Sequence, residues 1–372
     1  MTDRNRTMRL ATRGSALAMR QAATVKERLE GRRLTVELVE VETTGDQLRD
    51  ELIHRLGTTG AFVRALDQKV LDGDVDAAVH SMKDMPTDQP DDLVVAGIPE
   101  RAAATDLLVT PDGRALDDLP KGATVGTSSL RRGAQLLAAR DDVTVEPLRG
   151  NVDTRVEKLL APSLTREYTT RLDAEEAEAD PNEDKAEYPD YDQTVEEWFD
   201  GLAEIERRAL ERDVETEYDA ICLAEAGLDR SGLLHHVEYE RLTPTEFVPA
   251  PGQGAIAVTA LDGETAETIH GVLDHPPTRV ETTVERTILA ELGGGCVAPV
   301  GIYARLQGEV VTTTVRVLAQ DGSEEIGATR DLPVARHAEA AREFAAELAE
   351  QGAKRLIAEA RRDEPDGAKR EQ

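Results

Sequence analysis

Cysteine is almost missing from this chain: 372 residues hold two, Cys222 and Cys296. Two thiols build no disulfide framework, which excludes the small, disulfide-stapled secreted class. Long apolar runs are lacking as well. No stretch approaches the ~18 residues of a membrane span, and Met1 to Leu10 carries no apolar signal core, so a soluble, cytoplasmic protein is expected. Aromatic residues make up 3% of the chain, with a single tryptophan, Trp198. Lysine is scarce too. It supplies 8 of 44 basic residues, set against 74 acidic ones, for a formal net charge of −30. Such a surface repels nucleic acid and anionic membranes, and it suits concentrated salt, where screening relieves self-repulsion. A halophilic source is expected. The 7 histidines are scattered without zinc spacing and no P-loop is present, so neither a metal nor a nucleotide is expected.

What is present reads as α/β. The length exceeds one simple core and predicts two or three domains. Short apolar runs of strand length at 9–12, 35–41, 75–80, 93–98, 123–126, 143–148, 218–223 and 255–260 alternate with helical periodicity at 15–29, 61–71, 129–139 and 152–160. After Pro276 and Pro277 the pattern changes to a helix through Leu292, strands near 302–306, 310–318 and 324–332, and one last helix over 335–360. A small α+β unit therefore closes the chain. No repeat or apolar face demands assembly, so a monomer is expected.

Between Ala161 and Tyr218 lie 20 Asp or Glu against 6 Lys or Arg, together with Trp198 and four of the six tyrosines. The part through about Asp192 is acidic and lacks periodicity, which predicts a mobile segment. Thr194 to Arg212 reads as one helix presenting Val195, Trp198, Phe199, Leu202 and Ile205 to the second domain. A partner surface and a solvated halophilic insertion both remain open for this region.

The run Leu292-Gly293-Gly294-Gly295-Cys296-Val297-Ala298-Pro299 strips away the side chains that would bury a thiol. Covalent attachment at Cys296 is one reason for so bare a loop; a helix end capped by glycine is the plainer one. Cys222 sits in an apolar strand and reads as core. Against an acidic background, clusters of cations stand out. Thr127-Ser128-Ser129-Leu130-Arg131-Arg132 carries two arginines and no acid, and Leu148-Arg149-Gly150-Asn151-Val152-Asp153-Thr154-Arg155 carries two more. Arg13 and Ser15 open a helix after a strand in a weak copy of the first cluster, and Ser81-Met82-Lys83-Asp84 places a rare lysine at a strand end. Helix N-termini and arginine forks bind carboxylates, so a polycarboxylate ligand is indicated at the strand ends of an open α/β sheet. Asp84 is then the one well-placed negative group, suited to stabilising a cation or moving a proton. N-capping by Ser15 and Ser129, and an ordinary ion pair at Asp84, remain alternatives.

These motifs, in this order, resemble the hydroxymethylbilane synthase (porphobilinogen deaminase) family: ATRGSALA at 11–18, HSMKDMPT at 80–87, VGTSSLRR at 125–132, LRGNVDTR at 148–155, AEAGLDR at 224–230, PAPGQGAI at 249–256 and LGGGCVAPVG at 292–301. The resemblance implies two periplasmic-binding-protein-like α/β lobes with a cleft between them plus a small C-terminal α+β domain. The implied limits are 1–101 with 252–275, 102–251 with an insertion over about 161–217, and 276–372. It implies a dipyrromethane cofactor on Cys296 and porphobilinogen as the substrate, four molecules of which are joined and released as a linear tetrapyrrole. By the same resemblance Ser81, Lys83, Thr127, Ser128, Ser129, Arg131 and Arg132 hold cofactor carboxylates. Arg13, Ser15, Phe62, Arg149, Asn151, Arg155, Arg230 and Gln253 meet the incoming or growing rings. Asp84 is the implied catalytic group. The segment from Arg55 to Phe62 resembles the family's mobile loop, with Arg55 and Thr59 where lysines are frequent, and Val297 replaces a frequent polar residue.

Two other classes stay open at this stage. A two-lobed carboxylate-binding protein would share the architecture without the chemistry. A thiol-dependent enzyme would need a base near Cys296, for which His275 is the nearest candidate in sequence.

Overall fold

The computed structural model describes residues 6–31, 34–41, 59–179, 188–295 and 298–362. In chain order the strands are β1 (Arg6–Arg13), β2 (Leu34–Val41), β3 (Ala77–Ser81), β4 (Leu93–Gly97), β5 (Asp106–Thr110), β6 (Thr124–Gly126), β7 (Thr144–Glu146), β8 (Ala220–Ala224), β9 (Glu238–Leu242), β10 (Ile256–Leu261), β11 (Val300–Gln307), β12 (Val310–Leu318) and β13 (Glu325–Pro333). The helices are α1 (Ala16–Leu29), α2 (Thr59–Leu71), α3 (Leu130–Ala139), α4 (Val152–Ala179), α5 (Val195–Gly201), α6 (Glu204–Leu210), α7 (Glu225–Ser231), α8 (Glu264–Leu273), α9 (Pro276–Glu291), α10 (His337–Glu350) and α11 (Ala353–Arg362).

Two five-stranded sheets share one plan. The first runs β2-β1-β3-β10-β4 and the second β7-β6-β8-β5-β9. In each, the first three strands are parallel and the fourth is antiparallel to both of its neighbours. Strands β3, β5, β8 and β10 are buried along nearly their whole length, as sheets covered on both faces require. The antiparallel strand of the first sheet, β10, arrives from the second sheet, so the chain crosses between the sheets twice, at 98–105 and 243–255. A third, antiparallel sheet, β11-β12-β13, packs through Val300, Ile302 and Val315 on Ile288, Phe344 and Leu356 of α9, α10 and α11.

The two crossings press against each other. Ala102 N–H donates to Gly254 O at 3.2 Å, and Gly254 sits at φ +83°, where a Cβ would come within 2.5 Å of Ala102 O. Glycine is required there on both counts. Beside it, the buried Arg101 guanidinium makes two contacts with Glu285 on α9, at 2.8 and 3.1 Å, and its Nε donates to Gln253 O at 2.7 Å. Glu285 also accepts from Gly252 N and Ala304 N, at 2.7 and 2.9 Å, so one carboxylate ties both crossings to the third sheet. Burial pushes the Glu285 carboxyl up, and Arg101 pulls in the opposite direction. Removing one partner of such a pair strands the other charge. Arg101→Ala is expected to cost about 3–5 kcal/mol, read by denaturant unfolding in concentrated salt; a loss below about 1 kcal/mol would contradict this assignment.

The structure departs from the sequence expectation in several places. Strands β5 and β9 and helices α7 and α8 fall outside the predicted elements. The acidic segment expected to be mobile is helical through Ala179, because α4 continues past Pro162. Its support comes from residues that follow it in sequence. Tyr168 stacks on Trp198 with ring centroids 6.2 Å apart, the Arg171 guanidinium lies 4.0 Å from the Tyr191 ring centroid, and Glu175 accepts from Val195 N at 2.9 Å. The helix expected over 194–212 is two, α5 and α6, separated at Leu202 and Ala203. Val195, Leu202 and Ile205 are buried, but Phe199 is exposed. Ile205 does pack with Leu107, Val109 and Val156 of the second sheet's core, and the buried Glu157 takes Arg208 and Arg212 as partners. The single last helix is likewise two, divided at Gly352, where φ is +107°.

Candidate active site

Three helices start where strands of the two sheets end, and each start is held by a predicted residue. Ser15 Oγ accepts from Ala18 N at 3.3 Å at the start of α1, and Ser129 Oγ from Arg132 N at 3.4 Å at the start of α3. Asn151 Oδ1 accepts from Thr154 N at 2.9 Å as α4 begins. The capping role left open for Ser15 and Ser129 is thus real. It leaves the free N–H groups of each first turn directed outward with the positive end of the helix dipole. Ser128 Oγ donates to Leu148 O at 2.6 Å, which joins two of the cationic motifs, and Thr127 Oγ1 accepts from Ser129 N at 3.2 Å.

A second carboxylate lies inside the cluster. Asp106, at the start of β5, is fully buried and forms ion pairs with both arginines, Arg131 Nη2 at 2.7 Å from Oδ2 and Arg132 Nη2 at 2.8 Å from Oδ1, which also accepts from Arg132 Nε at 2.9 Å. Burial pushes its carboxyl up, but the two guanidiniums outweigh that and hold it below the usual carboxylate range. Asp84 is therefore not the one negative group of the site, as the sequence suggested. Asp106 escaped notice because it opens an otherwise apolar strand and is remote from the arginine motif. Gln253, 1% exposed, donates to Asp106 Oδ1 at 2.9 Å, and Arg131 Nη1 donates to Val248 O at 2.8 Å.

On the first sheet, β3 ends at Ser81 and a short 3-10 turn, Met82–Asp84, presents Lys83 and Asp84, both half-buried. Gly252, at φ +74°, backs this turn so closely that a Cβ would sit 2.9 Å from Met82 Cγ and 3.2 Å from Lys83 N. Asp84 pulls the Lys83 pKa up, yet burial together with repulsion from Arg132 and Arg155 outweighs it, and Lys83 falls below the ordinary lysine range. Burial, then repulsion from Arg132, brings Arg155 down to about 10. Cations at the ends of the two sheets therefore act on one another's titration. Cations outnumber carboxylates there, and among the described residues neither the Nε of the buried Arg131 nor Asp106 Oδ2 has a hydrogen-bond partner. Such a set fits a ligand that brings its own carboxylates.

The remaining predicted residues are distributed unevenly. Arg13 is half-buried at the end of β1, and Arg149 is exposed just ahead of α4, where its carbonyl accepts from Lys158 Nζ at 3.3 Å. Arg155 Nε donates to Gly150 O at 2.9 Å. Arg230 reaches the crossing instead, its Nη2 donating to Gly254 O at 2.7 Å. Cys296 and Val297 lie outside the described residues, as do Arg55 and the side chains of Thr59 and Phe62. The residues flanking Cys296 are placed. Gly293 has φ +67°, Gly294 N–H donates to Leu289 O at 2.9 Å, and Arg361 of α11 donates to Gly293 O at 2.5 Å. His275 caps the far end of α9, with Nδ1 2.9 Å from Thr278 Oγ1. The 16 residues of α9 separate it from the cysteine loop, about 24 Å at 1.5 Å per residue, which removes it as a base for that thiol.

Comparison with known proteins gives the family. Residues 8–170 and 202–268 match the family model for the porphobilinogen deaminase dipyromethane cofactor binding domain, and residues 280–351 match that for the porphobilinogen deaminase C-terminal domain. The stretch between the first two matches, 171–201, is shorter than the insertion expected over 161–217. The probable porphobilinogen deaminase of Halobacterium salinarum is 52% identical over 388 aligned residues, covering 95% of this chain and 98% of that protein. That of Methanococcoides burtonii is 38% identical, with 95% and 97% covered. Among solved structures, the apo ectoine binding protein TeaA covers 96% of this chain and 98% of its own with 11% identity, but a TM-score of 0.32 gives that likeness no weight. Two successive domain models and relatives matched along nearly their whole length show that the chain belongs to the porphobilinogen deaminase family.

Proposed function

We propose that the protein is a hydroxymethylbilane synthase, a transferase that deaminates four porphobilinogen molecules, joins them head to tail on a covalent dipyrromethane, and releases the linear tetrapyrrole by hydrolysis. The observation that carries this reading is the excess of buried and half-buried cation at Lys83, Arg131, Arg132 and Arg155 in a chain of net charge −30. Each pyrrole ring of such a ligand carries two carboxylates, and guanidinium pairs recognise carboxylates in a fixed plane. In this reading Cys296 holds the dipyrromethane, which supplies the nucleophilic ring carbon onto which each new unit is joined.

The chain's own groups divide the remaining work. Ser81, Lys83, Thr127, Ser128, Ser129, Arg131 and Arg132 hold cofactor carboxylates, with Asp106 and Gln253 keeping the two arginines aimed. Arg13, Ser15, Arg149, Asn151 and Arg155 hold the acid arms of the incoming ring. Arg230 and Gln253 border the growing chain at the crossing, and Phe62 meets a pyrrole face. Asp84 accepts from the substrate pyrrole N–H and neutralises the cation left when ammonia departs. The three-domain limits given above, a monomeric state, a cytoplasmic location and the absence of nucleic-acid or membrane partners belong to the same reading.

The direct test is incubation with porphobilinogen in concentrated salt, scoring four ammonia released per tetrapyrrole; no consumption of porphobilinogen by cofactor-loaded protein would reject the proposal. Arg149 and Arg132 separate two roles. Arg149→Ala, at an exposed position, is expected to raise KM about 10- to 100-fold, the value of one charge-assisted contact, with the covalent cofactor in place. Arg132→Ala removes one of the two guanidiniums paired with the buried Asp106, leaving Arg131 and Gln253, and is expected to lower both cofactor content by intact mass and thermal stability. Unchanged KM in the first variant, or full cofactor content in the second, would contradict the division.

A further inference from the structure

We infer that Arg286, on α9, is a positioning residue for Asp84. The inference rests on the reading of Asp84 as the catalytic carboxylate. Asp84 ends the 3-10 turn Met82–Asp84, whose one internal bond runs from Met85 N to Met82 O at 3.1 Å. A turn of three residues has little rigidity of its own. The half-buried Arg286 guanidinium reaches into it and donates to three carbonyls on both sides of Asp84. Nη1 lies 3.4 Å from Met82 O and 3.2 Å from Met85 O, and Nη2 lies 2.6 Å from Pro86 O.

The next residue back on α9 holds the other flank. Glu285 accepts from Gly252 N at 2.7 Å, and Gly252 is the residue packed against Met82 and Lys83 N. From below, Met82 and Met85 are 1% exposed and pack with Val63, Ile98 and Ala257. Backbone, floor and flank are thus fixed, and the direction in which the Asp84 side chain leaves the turn is set by the carbonyls that Arg286 holds. The planar fork fixes donors on two nitrogens across these acceptors, a geometry that the single nitrogen of an ammonium does not reproduce. A displacement of about 1 Å at a reacting group lowers rate about 100-fold. The same helix runs on into the glycine loop before Cys296, so the element that carries the cofactor site also braces the carboxylate.

Arg286→Gln and Arg286→Lys, purified with covalent cofactor and compared with Asp84→Asn, test this. Both Arg286 variants are expected to lose kcat about 10- to 100-fold with KM within about threefold of the parent and intact mass showing full cofactor content. In an Asp84→Asn background, Arg286→Gln is expected to change the residual rate less than about twofold, because the two act through one carboxylate. A kcat within about twofold of the parent in both Arg286 variants, alongside an inactive Asp84→Asn, overturns the inference and leaves the Asp84 reading standing. An active Asp84→Asn overturns that reading instead. Full rescue by Arg286→Lys also overturns the inference, since charge alone would then suffice. If Arg286→Gln fails to fold, the Lys variant carries the same comparison.

Discussion

Asp84→Asn is expected to lower kcat by about 10²- to 10⁴-fold, the range typical of removing a positioned acid, base or electrostatic stabiliser. The amide keeps the size of the side chain and one acceptor oxygen, so binding of the pyrrole N–H survives in part. On the role proposed for Asp84, what is lost is the negative charge facing the cation that forms as ammonia leaves. The other carboxylate of the cluster cannot replace it: Asp106 is fully buried and already bonded to Arg131 and Arg132. Loss of the Asp84 charge also removes the group that raises the pKa of Lys83, while burial and repulsion from Arg132 and Arg155 remain. The Lys83 ammonium is then expected to titrate at still lower pH, and, on the role proposed for it, to lose its pairing with a cofactor carboxylate at lower pH in the variant. Steady-state kinetics on protein with verified cofactor content measures the first effect. A kcat within about tenfold of the parent would show that the charge at position 84 is not the stabilising group.

Cys296→Ser is expected to abolish both covalent pyrrole and turnover, whereas Cys222→Ser retains both. The contrast follows from environment. The Cys222 thiol is fully buried in β8, and burial pushes its pKa up to about 12, so it is neither thiolate nor accessible. Cys296 follows three glycines that leave little side chain to shield it. A serine oxygen at that position is a far weaker nucleophile toward an electrophilic pyrrole carbon. Mass measurement of both variants after denaturation decides the matter. Pyrrole retained on the serine variant, or lost from the Cys222 variant, would place the attachment elsewhere.

The strands of both sheets that run as continuous apolar stretches, such as Ala77–Ser81 and Ile256–Leu261, were legible because burial on both faces leaves a plain compositional trace. Glu238–Leu242 was not, being an edge strand with polar residues on both faces, and Asp106–Thr110 was obscured by its opening carboxylate. Helix α4 beyond Leu160 could not be read from its own residues, since the groups that support it, Tyr191 and Trp198, lie beyond its end in sequence. The same distinction holds at the site. The arginines, Lys83 and Asp84 were visible as exceptions to an acidic background. Asp106, which pairs with Arg131 and Arg132, Glu285, which pairs with Arg101, and Arg286, which bonds the backbone on both sides of Asp84, were hidden because acids and arginines are common in this chain and their partners lie 25, 184 and about 200 residues away.

The central claim, that a sulfur-bound pyrrole pair sits among these cations, is tested most directly by intact mass and peptide mapping of the purified, active protein. Two linked pyrrole units on the peptide containing Cys296, one pair per chain, are expected. Active protein of bare polypeptide mass, or with the adduct on another residue, would contradict the account.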